Sequence, residues 1–339
     1  MANKKRTTLK DIANVLNIST AAVSKAMHND SRISAKTKAE VKRIAKELNY
    51  QPNHLASALR KGKSNLVGVI VPRTNSNFFS SVLEHMEEVL HKAGYNVIIT
   101  QSNESFKKEC TNIDTLLYTQ VDGIIASMAN ETVDLSFYEK IKTKGIPLIL
   151  FDRGENNLNV DYVGINDYDS SQMIIKHLVS KGCKRIAHIG GFRRTRIFNN
   201  RIRGYIDAIK TYNLPLDNDL IIESSLTLED GRHQMTKLLN LNKRPDAVYV
   251  AGDYAALGAL QVLKEHQLNV PEDMRLVGFG NEPFTALVTP SITSVDQNSK
   301  AIGRLAAEAF LNRVANPETK QTLNKIILEA ELIVRASSY

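Results

Sequence analysis

The sequence predicts an α/β protein, with a small all-α unit at its N-terminus followed by a two-lobed body of parallel sheets flanked by helices. Three observations predict it. The stretch before Pro52 is basic, yet it carries apolar residues at helical spacing. From Leu66 onward, short apolar runs alternate with amphipathic stretches, the pattern of strands covered by helices. Two of those runs, 67–72 and 186–191, read alike, as the first strands of two similar halves.

Three short helices account for residues 8–50. Thr8 can cap the first, with Asp11 three residues on to answer the free backbone amides. Leu9, Ile12, Ala13 and Leu16 then recur at helical spacing. Asn17 interrupts the run and tolerates the left-handed backbone of a tight turn. Ser19 can cap a second helix that turns Val23, Ala26 and Met27 inward, and Ser34 a third that carries Val41, Ile44, Ala45 and Leu48. Small Ala13 facing Val23 lets the first two helices cross closely, the arrangement of a helix-turn-helix. Pro52 marks a boundary. The segment that follows it, ended by Gly62, is compatible with a helix but too short to hold one unaided in water.

In the body, strands are expected at 66–71, 97–99, 123–127, 147–151, 185–189, 247–250 and 276–279. Helices are expected at 82–92, 113–119, 170–180, 204–212, 234–239 and 257–265. The repeat implies two α/β lobes with a cleft between them, and ligands in such folds sit at the carboxyl ends of the strands. The chain thus divides into 1–51, a linker at 52–63 and a body at 64–339.

Charge separates these parts. Residues 1–63 hold fourteen Lys/Arg against four Asp/Glu, a net of +10; the whole chain is +8, so the remainder is nearly neutral at −2. A basic end on such a body points to a polyanionic partner for that end, and a disordered tail would lack its helical patterning. No apolar run is long enough to span a membrane, and residues 1–10 lack the apolar segment of a secretory signal. The two cysteines, Cys110 and Cys183, form no motif and are expected reduced and buried. A cytoplasmic protein without a membrane partner is expected. No metal, cofactor or catalytic residue is expected either. The eight histidines lack metal-ligand spacing, and no G-x-S-x-G, G-x-x-x-x-G-K-[ST], H-E-x-x-H or C-x-x-C occurs. An exported solute-binding protein would share the two lobes but not the basic helical end.

Particular residues carry a resemblance. Thr8-Leu9-Lys10-Asp11-Ile12-Ala13, Ile18-Ser19, Val23-Ser24-Lys25, Ser34-Ala35-Lys36-Thr37 and Leu48-Asn49-Tyr50-Gln51-Pro52-Asn53 resemble the headpiece of the LacI/GalR family of bacterial regulators. The likeness continues in order through Gly68-Val69-Ile70-Val71-Pro72, Asn77-Phe78-Phe79, Phe151-Asp152-Arg153, and Arg201 with Gly204-Tyr205. It runs on through Asp253, Ala256-Leu257-Gly258-Ala259, Val277-Gly278-Phe279, Thr293-Ser294-Val295-Asp296-Gln297 and Glu331-Leu332-Ile333-Val334-Arg335, and so covers essentially the whole chain. The resemblance implies a transcription regulator, in most cases a repressor, with a periplasmic-binding-protein-like sensor. It acts as a homodimer on a palindromic double-stranded DNA operator and answers to a small effector derived from a carbohydrate.

The second helix of a helix-turn-helix lies in the major groove with its N-terminal side chains toward base edges, which is where Thr20, Ala21 and Lys25 fall. Lys25 can donate to guanine or phosphate, while Ala21 and the Thr20 methyl can touch a thymine methyl. The family more often carries longer polar side chains there and Arg at the third position, so a different operator is expected. Ser19, Ser24 and His28 are candidates for phosphate contacts, and Thr8, Arg32 and Tyr50 complete the headpiece set. By resemblance, Asn53, Ala56 and Leu59 belong to a hinge helix that pairs with its copy in the minor groove. Leu59 would wedge a base step there, and Ala56 would allow close approach.

The resemblance places the effector among Phe79, Asp152, Arg201, Asp253, Asn281 and Gln297. Phe79 can stack on a flat ligand face. Asp152 can accept from hydroxyls, and Arg201, expected to open a helix, offers a planar fork of donors. Asp253 can equally cap the helix that follows it. After Val277-Gly278-Phe279 many members place a sugar-binding Asp; here Gly280, Asn281 and Glu282 stand instead. That departure suggests a lost acceptor and freed space. With Arg153, Arg193, Arg194 and Arg196 nearby in sequence, it suggests an anionic or larger effector such as a uronate, a sugar phosphate or an oligosaccharide fragment.

Overall fold

The computed structural model describes residues 7–50, 63–316 and 323–339. The chain separates into two compact units, Met1–Ser64 and Asn65–Tyr339. No helix among the described residues is long and apolar enough to cross a membrane.

The first unit is three helices: α1 (Leu9–Leu16), α2 (Thr20–Met27) and α3 (Ala35–Glu47). Their ends follow from side-chain chemistry. Thr8 and Asp11 form a reciprocal capping box on α1, and the helix stops at Asn17 in the left-handed region, at φ 51°. The Ser19 hydroxyl accepts from the Ala22 amide at 3.1 Å, and that of Ser34 from the Thr37 amide at 3.1 Å. Each cap accepts from an amide of the first turn, worth about 1 kcal/mol. Ile12, Ala13, Val23, Ala26, Val41, Ile44 and Ala45 make the buried core; full burial of an Ile or Val contributes about 1.5–3 kcal/mol.

In the second unit, the first lobe holds β1 (Leu66–Val71), β2 (Asn96–Gln101), β3 (Gly123–Ala126), β4 (Leu148–Phe151) and β5 (Asp161–Ile165). The second holds β6 (Ile186–Gly190), β7 (Ile221–Glu223), β8 (Ala247–Val250), β9 (Arg275–Phe279) and β10 (Thr293–Asp296). Two terminal strands complete the sheets, β11 (Lys325–Leu328) in the first and β12 (Glu331–Ile333) in the second. The orders are β2-β1-β3-β4-β5-β11 and β7-β6-β8-β9-β10-β12, the same arrangement twice. Every pairing is parallel except β10 with β12. The two alike runs of the sequence are therefore β1 and β6, each next to the edge of its sheet.

The helices are α4 (Asn77–Lys92), α5 (Phe106–Tyr118), α6 (Ser136–Thr143), α7 (Asp167–Ser180), α8 (Arg196–Thr211), α9 (Leu228–Leu239), α10 (Asp253–Glu265), α11 (Phe284–Leu287) and α12 (Ser299–Ala315). The chain passes between the lobes three times. After β5 it enters the second lobe, where α7 packs on α8; after β10 it returns, and α12 packs on α4 and strands of the first sheet; after β11 it crosses again into β12.

Several elements escape the sequence pattern. Strands β5, β7, β10, β11 and β12 and helices α6, α11 and α12 are not anticipated. Helix α12 is Ala-rich and buries residues over much of its circumference, so it lacks a clean apolar stripe. The anticipated helices also begin earlier than expected, since their first turns extend N-terminal to the amphipathic runs read from the sequence. In α8, for example, Ile197 and Phe198 are already buried in the first turn, ahead of Gly204, the first residue of the run read from the sequence. Close crossings depend on glycine. A Cβ at Gly258 would lie 2.1 Å from the Leu228 carbonyl oxygen, and one at Gly204 2.3 Å from that of Tyr168.

Candidate functional site

Two surfaces hold the residues singled out from the sequence. On the headpiece, Thr20, Ala21 and Lys25 lie on α2 and are exposed. The backbone carbonyl of Ser24 meets His28 Nδ1 at 2.7 Å, which fixes the ring against the helix end. Ser19 spends its hydroxyl as the α2 cap, as Thr8 does on α1. Arg32 grips Asp30 with Nε at 3.0 Å and Nη2 at 2.7 Å, and this exposed pair holds the Asp30 carboxyl well below its usual range. Tyr50 is half-buried, packed on the headpiece core, with its amide on the Ala45 carbonyl at 2.8 Å. Asn53, Ala56 and Leu59 lie outside the described residues.

The second surface is a cleft where the carboxyl ends of β1, β4, β8 and β9 face each other, enclosing a cavity of about 140 Å³. Phe79, Asp152, Arg201, Asp253 and Gln297 line it. Asn281 does not: its Nδ2 donates to Asp296 at 2.8 Å and its Oδ1 accepts from Arg335 at 2.8 Å. Arg73, Glu104, Asn130, Phe198, Tyr254 and Glu282 also line the cleft and carried no sequence signal beyond their places after strands or at helix starts.

Arg201 is the sixth residue of α8, not its opening residue, and it is 4% exposed. Its Nε donates to Asp167 at 2.8 Å, Nη1 to the Ala251 carbonyl at 3.1 Å, and Nη2 reaches Gln297 Oε1 at 3.5 Å. Its guanidinium lies 3.6 Å from the centre of the Phe279 ring. Each of its three nitrogens is thus engaged by the protein, and Arg201 fixes the floor of the cleft rather than presenting a wholly free fork. Burial raises the Asp167 carboxyl, against the pull of Arg201.

Asp253 does not cap α10; Gly252 stands at that position. Instead its two oxygens accept from the Glu282 amide at 2.8 Å and the Ser294 hydroxyl at 2.7 Å. Asp152 sits just after β4 in a left-handed conformation, φ 55°. Its carboxylate has a weak contact from the Ser127 hydroxyl at 3.4 Å. Burial pushes Asp152 and Asp253 each up to about 6.

The arginines are matched by anions. Arg153 donates to Glu104 at 2.6 Å, and Arg73 lies 3.2 Å from the same carboxylate. Burial pushes Glu104 up, but Arg153, the Asn130 amide at 2.9 Å and Arg73 prevail and hold it below its ordinary value. The Arg153 guanidinium sits between Phe79 and Phe198, with ring centres at 5.9 and 5.8 Å, and its buried Nε has no hydrogen-bond partner. Arg193 pairs with Glu223 at 3.1 Å. Arg194 and Arg196 bridge the lobes at the rim, to the carbonyls of Asn130 at 2.9 Å and Gly154 at 2.6 Å.

The segment after β9 does not open space. Glu282 is 6% exposed and returns a carboxylate to the cleft from two residues beyond Gly280. Among the described residues, no group of His, Cys, Asp or Glu could hold a metal ion.

Comparison with known proteins finds matches to both units of the chain. The family model of bacterial regulatory proteins, lacI family, matches residues 8–53, and that of the periplasmic binding protein-like domain matches residues 175–338. The HTH-type transcriptional regulator DegA of Bacillus subtilis is 32% identical, over 98% of this chain and 98% of its own. The ribose operon repressor of Haemophilus influenzae is 29% identical over the same shares. Among solved structures, the transcriptional regulator CelR in complex with cellobiose superposes with a TM-score of 0.74 at 26% identity, covering 98% of this chain and 100% of that one. These relatives are regulators of transcription, not enzymes. A headpiece, a two-lobed sensor and near-complete alignment with such a relative lead to one conclusion: the chain belongs to the LacI family of bacterial DNA-binding transcription regulators.

Proposed function

We propose that this protein is a repressor that binds a palindromic DNA operator as a homodimer through helix α2, and that a small neutral sugar bound between the lobes controls its operator affinity. Exposed Thr20, Ala21 and Lys25 on α2 support the DNA part, together with the +10 charge of residues 1–63. A single headpiece reads few base pairs, which is why two copies are needed.

The charge arrangement of the cleft carries the effector assignment. Arg73 and Arg153 are matched by Glu104, and Arg201 by Asp167. Asp152 lies 3.8 Å from Arg153 as a second carboxylate for the pair of Arg73 and Arg153, and Asp253 and Glu282 then add two more. A sugar acid or sugar phosphate would find its countercharges already spent. A neutral polyol can donate its hydroxyls to Asp152 and accept from the Arg153 Nε–H, which has no hydrogen-bond partner and lies 3.8 Å from Asp152, with a ring face against Phe79 or Phe198. The ribose and cellobiose in the names of two relatives are of this class.

Thermal unfolding against a panel of neutral sugars, sugar acids and sugar phosphates tests the effector. A ligand at a hundredfold excess over its Kd stabilises the body by about 2.7 kcal/mol. Neutral sugars are expected to raise the midpoint; a response to anionic sugars alone would overturn the assignment. For DNA, Lys25→Ala is expected to relax discrimination at one base pair if Lys25 reads a base, or to weaken all sequences alike if it contacts phosphate. Unchanged binding on every sequence would remove Lys25 from the interface.

A further inference from the structure

Helix α4 begins without a cap of its own. Ser76 stands at its N-cap position, and its side chain makes no capping bond. The first amides of a helix are unsatisfied and carry partial positive charge. Here a carboxylate from the other lobe answers them. Glu282 Oε1 accepts from Ser76 Oγ at 3.0 Å and from the Asn77 amide at 3.1 Å, and Oε2 lies 3.2 Å from the same amide. Glu282 is held firmly from its own side. Its amide donates to Asp253, and its carbonyl accepts from the Thr285 amide at 2.9 Å and hydroxyl at 2.6 Å. On the opposite rim, Arg194, Thr195 and Arg196 bond to Asn130 and Gly154. The lobes are thus bridged on both sides of the cleft by protein groups alone.

We propose that Glu282 is an interlobe latch. It caps α4 in trans and holds the two lobes closed in the absence of effector, so that an effector reaching the Ser76 end of the cleft must displace this carboxylate. The clause about the effector rests on the cleft being the sensing site; the closure does not, and it is measured without any effector. Because the carboxylate is buried, and no arginine or lysine is paired with it among the described ion pairs, the amide end of α4 is its compensating charge. Opening the cleft removes that compensation from both groups at once.

The test uses the full chain with spin labels at Lys107→Cys in the first lobe and His233→Cys in the second, both exposed positions. The native cysteines are buried. Labelled chains are diluted with unlabelled ones, so that only distances within one chain are read by pulsed electron spin resonance. The parent protein is expected to give one short-distance population without effector. Glu282→Ala is expected to lose it in favour of longer distances, and Glu282→Gln to give a mixture, since a neutral amide oxygen still accepts but carries no charge. Sodium formate, compared with sodium chloride at equal ionic strength, is expected to restore the short population in Glu282→Ala and leave the parent unchanged. An unchanged distribution in Glu282→Ala, or a failure of formate to restore closure, overturns the latch. Should Glu282→Ala lose its circular dichroism signal, Ser76→Ala and Glu282→Gln decide: both unchanged refutes the latch, and a shift in both upholds it.

Discussion

Replacing Arg201 by Ala strikes the point on which the second lobe's cleft wall is built. The guanidinium and the Asp167 carboxylate are 5% and 4% exposed and 2.8 Å apart, so water screens neither. Removing one partner of such a pair leaves an uncompensated buried charge, which costs about 3–5 kcal/mol. The Asp167 carboxyl is already raised by burial while its arginine is present, and without Arg201 it rises further. The sign follows from proton binding. A carboxyl whose folded value lies above its unfolded value penalises folding when ionised, and protonation relieves the penalty. The stability deficit of Arg201→Ala therefore widens as pH rises above the unfolded carboxyl range and narrows as pH falls, and buffers at about pH 7.5 and about pH 5.5 compare the two sides. The assay is urea unfolding of the body by circular dichroism at both pH values, for Arg201→Ala, Asp167→Asn and a double variant, Arg201→Met with Asp167→Asn. The double variant is expected to cost less than the sum of the singles, with a coupling of about 0.5–3 kcal/mol. A loss below about 1 kcal/mol in Arg201→Ala, or one that does not change with pH, would refute the reasoning. The same variant is expected to lose its response to effector, because the Ala251 carbonyl and Gln297 lose the group that positions them.

Three further outcomes follow from other contacts. Asp152 and Asp253, each pushed up to about 6 by burial, penalise folding when ionised. Thermal stability of the body is thus expected to rise as pH falls through about 6 toward the unfolded carboxyl range, and Asp152→Asn with Asp253→Asn should flatten that slope in a pH series of melting curves. Gly204→Ala places a methyl carbon 2.3 Å from the Tyr168 carbonyl oxygen where α7 crosses α8; a loss of about 1–3 kcal/mol in urea unfolding is expected, and an unchanged midpoint would mean that the helices can separate freely. Thr8→Ala removes the capping box of α1 and is expected to cost the headpiece about 1 kcal/mol, read as faster amide exchange at Asp11 and Ile12 while the body's exchange stays as it was.

The sequence by itself determined the headpiece helices almost to the residue. Caps, turn and core there are local: Thr8 with Asp11, the left-handed Asn17, and Ser19 and Ser34 each act within three or four residues. It also determined the repeated β1 and β6, since strands buried on both faces read as unbroken apolar runs. Only the tertiary structure decided what the cleft contains. Asp253 meets Ser294 forty-one positions away, and Glu282 meets Ser76 across 206. No periodicity encodes such distances. The arginines looked like an anion site because sequence shows charges without their partners; Glu104 lies forty-nine residues from the Arg153 it neutralises. Helix α12 and strands β5, β10, β11 and β12 were likewise settled by the three passages between lobes. An Ala-rich helix or a four-residue strand is stabilised by what packs against it, and that neighbour is brought by the fold.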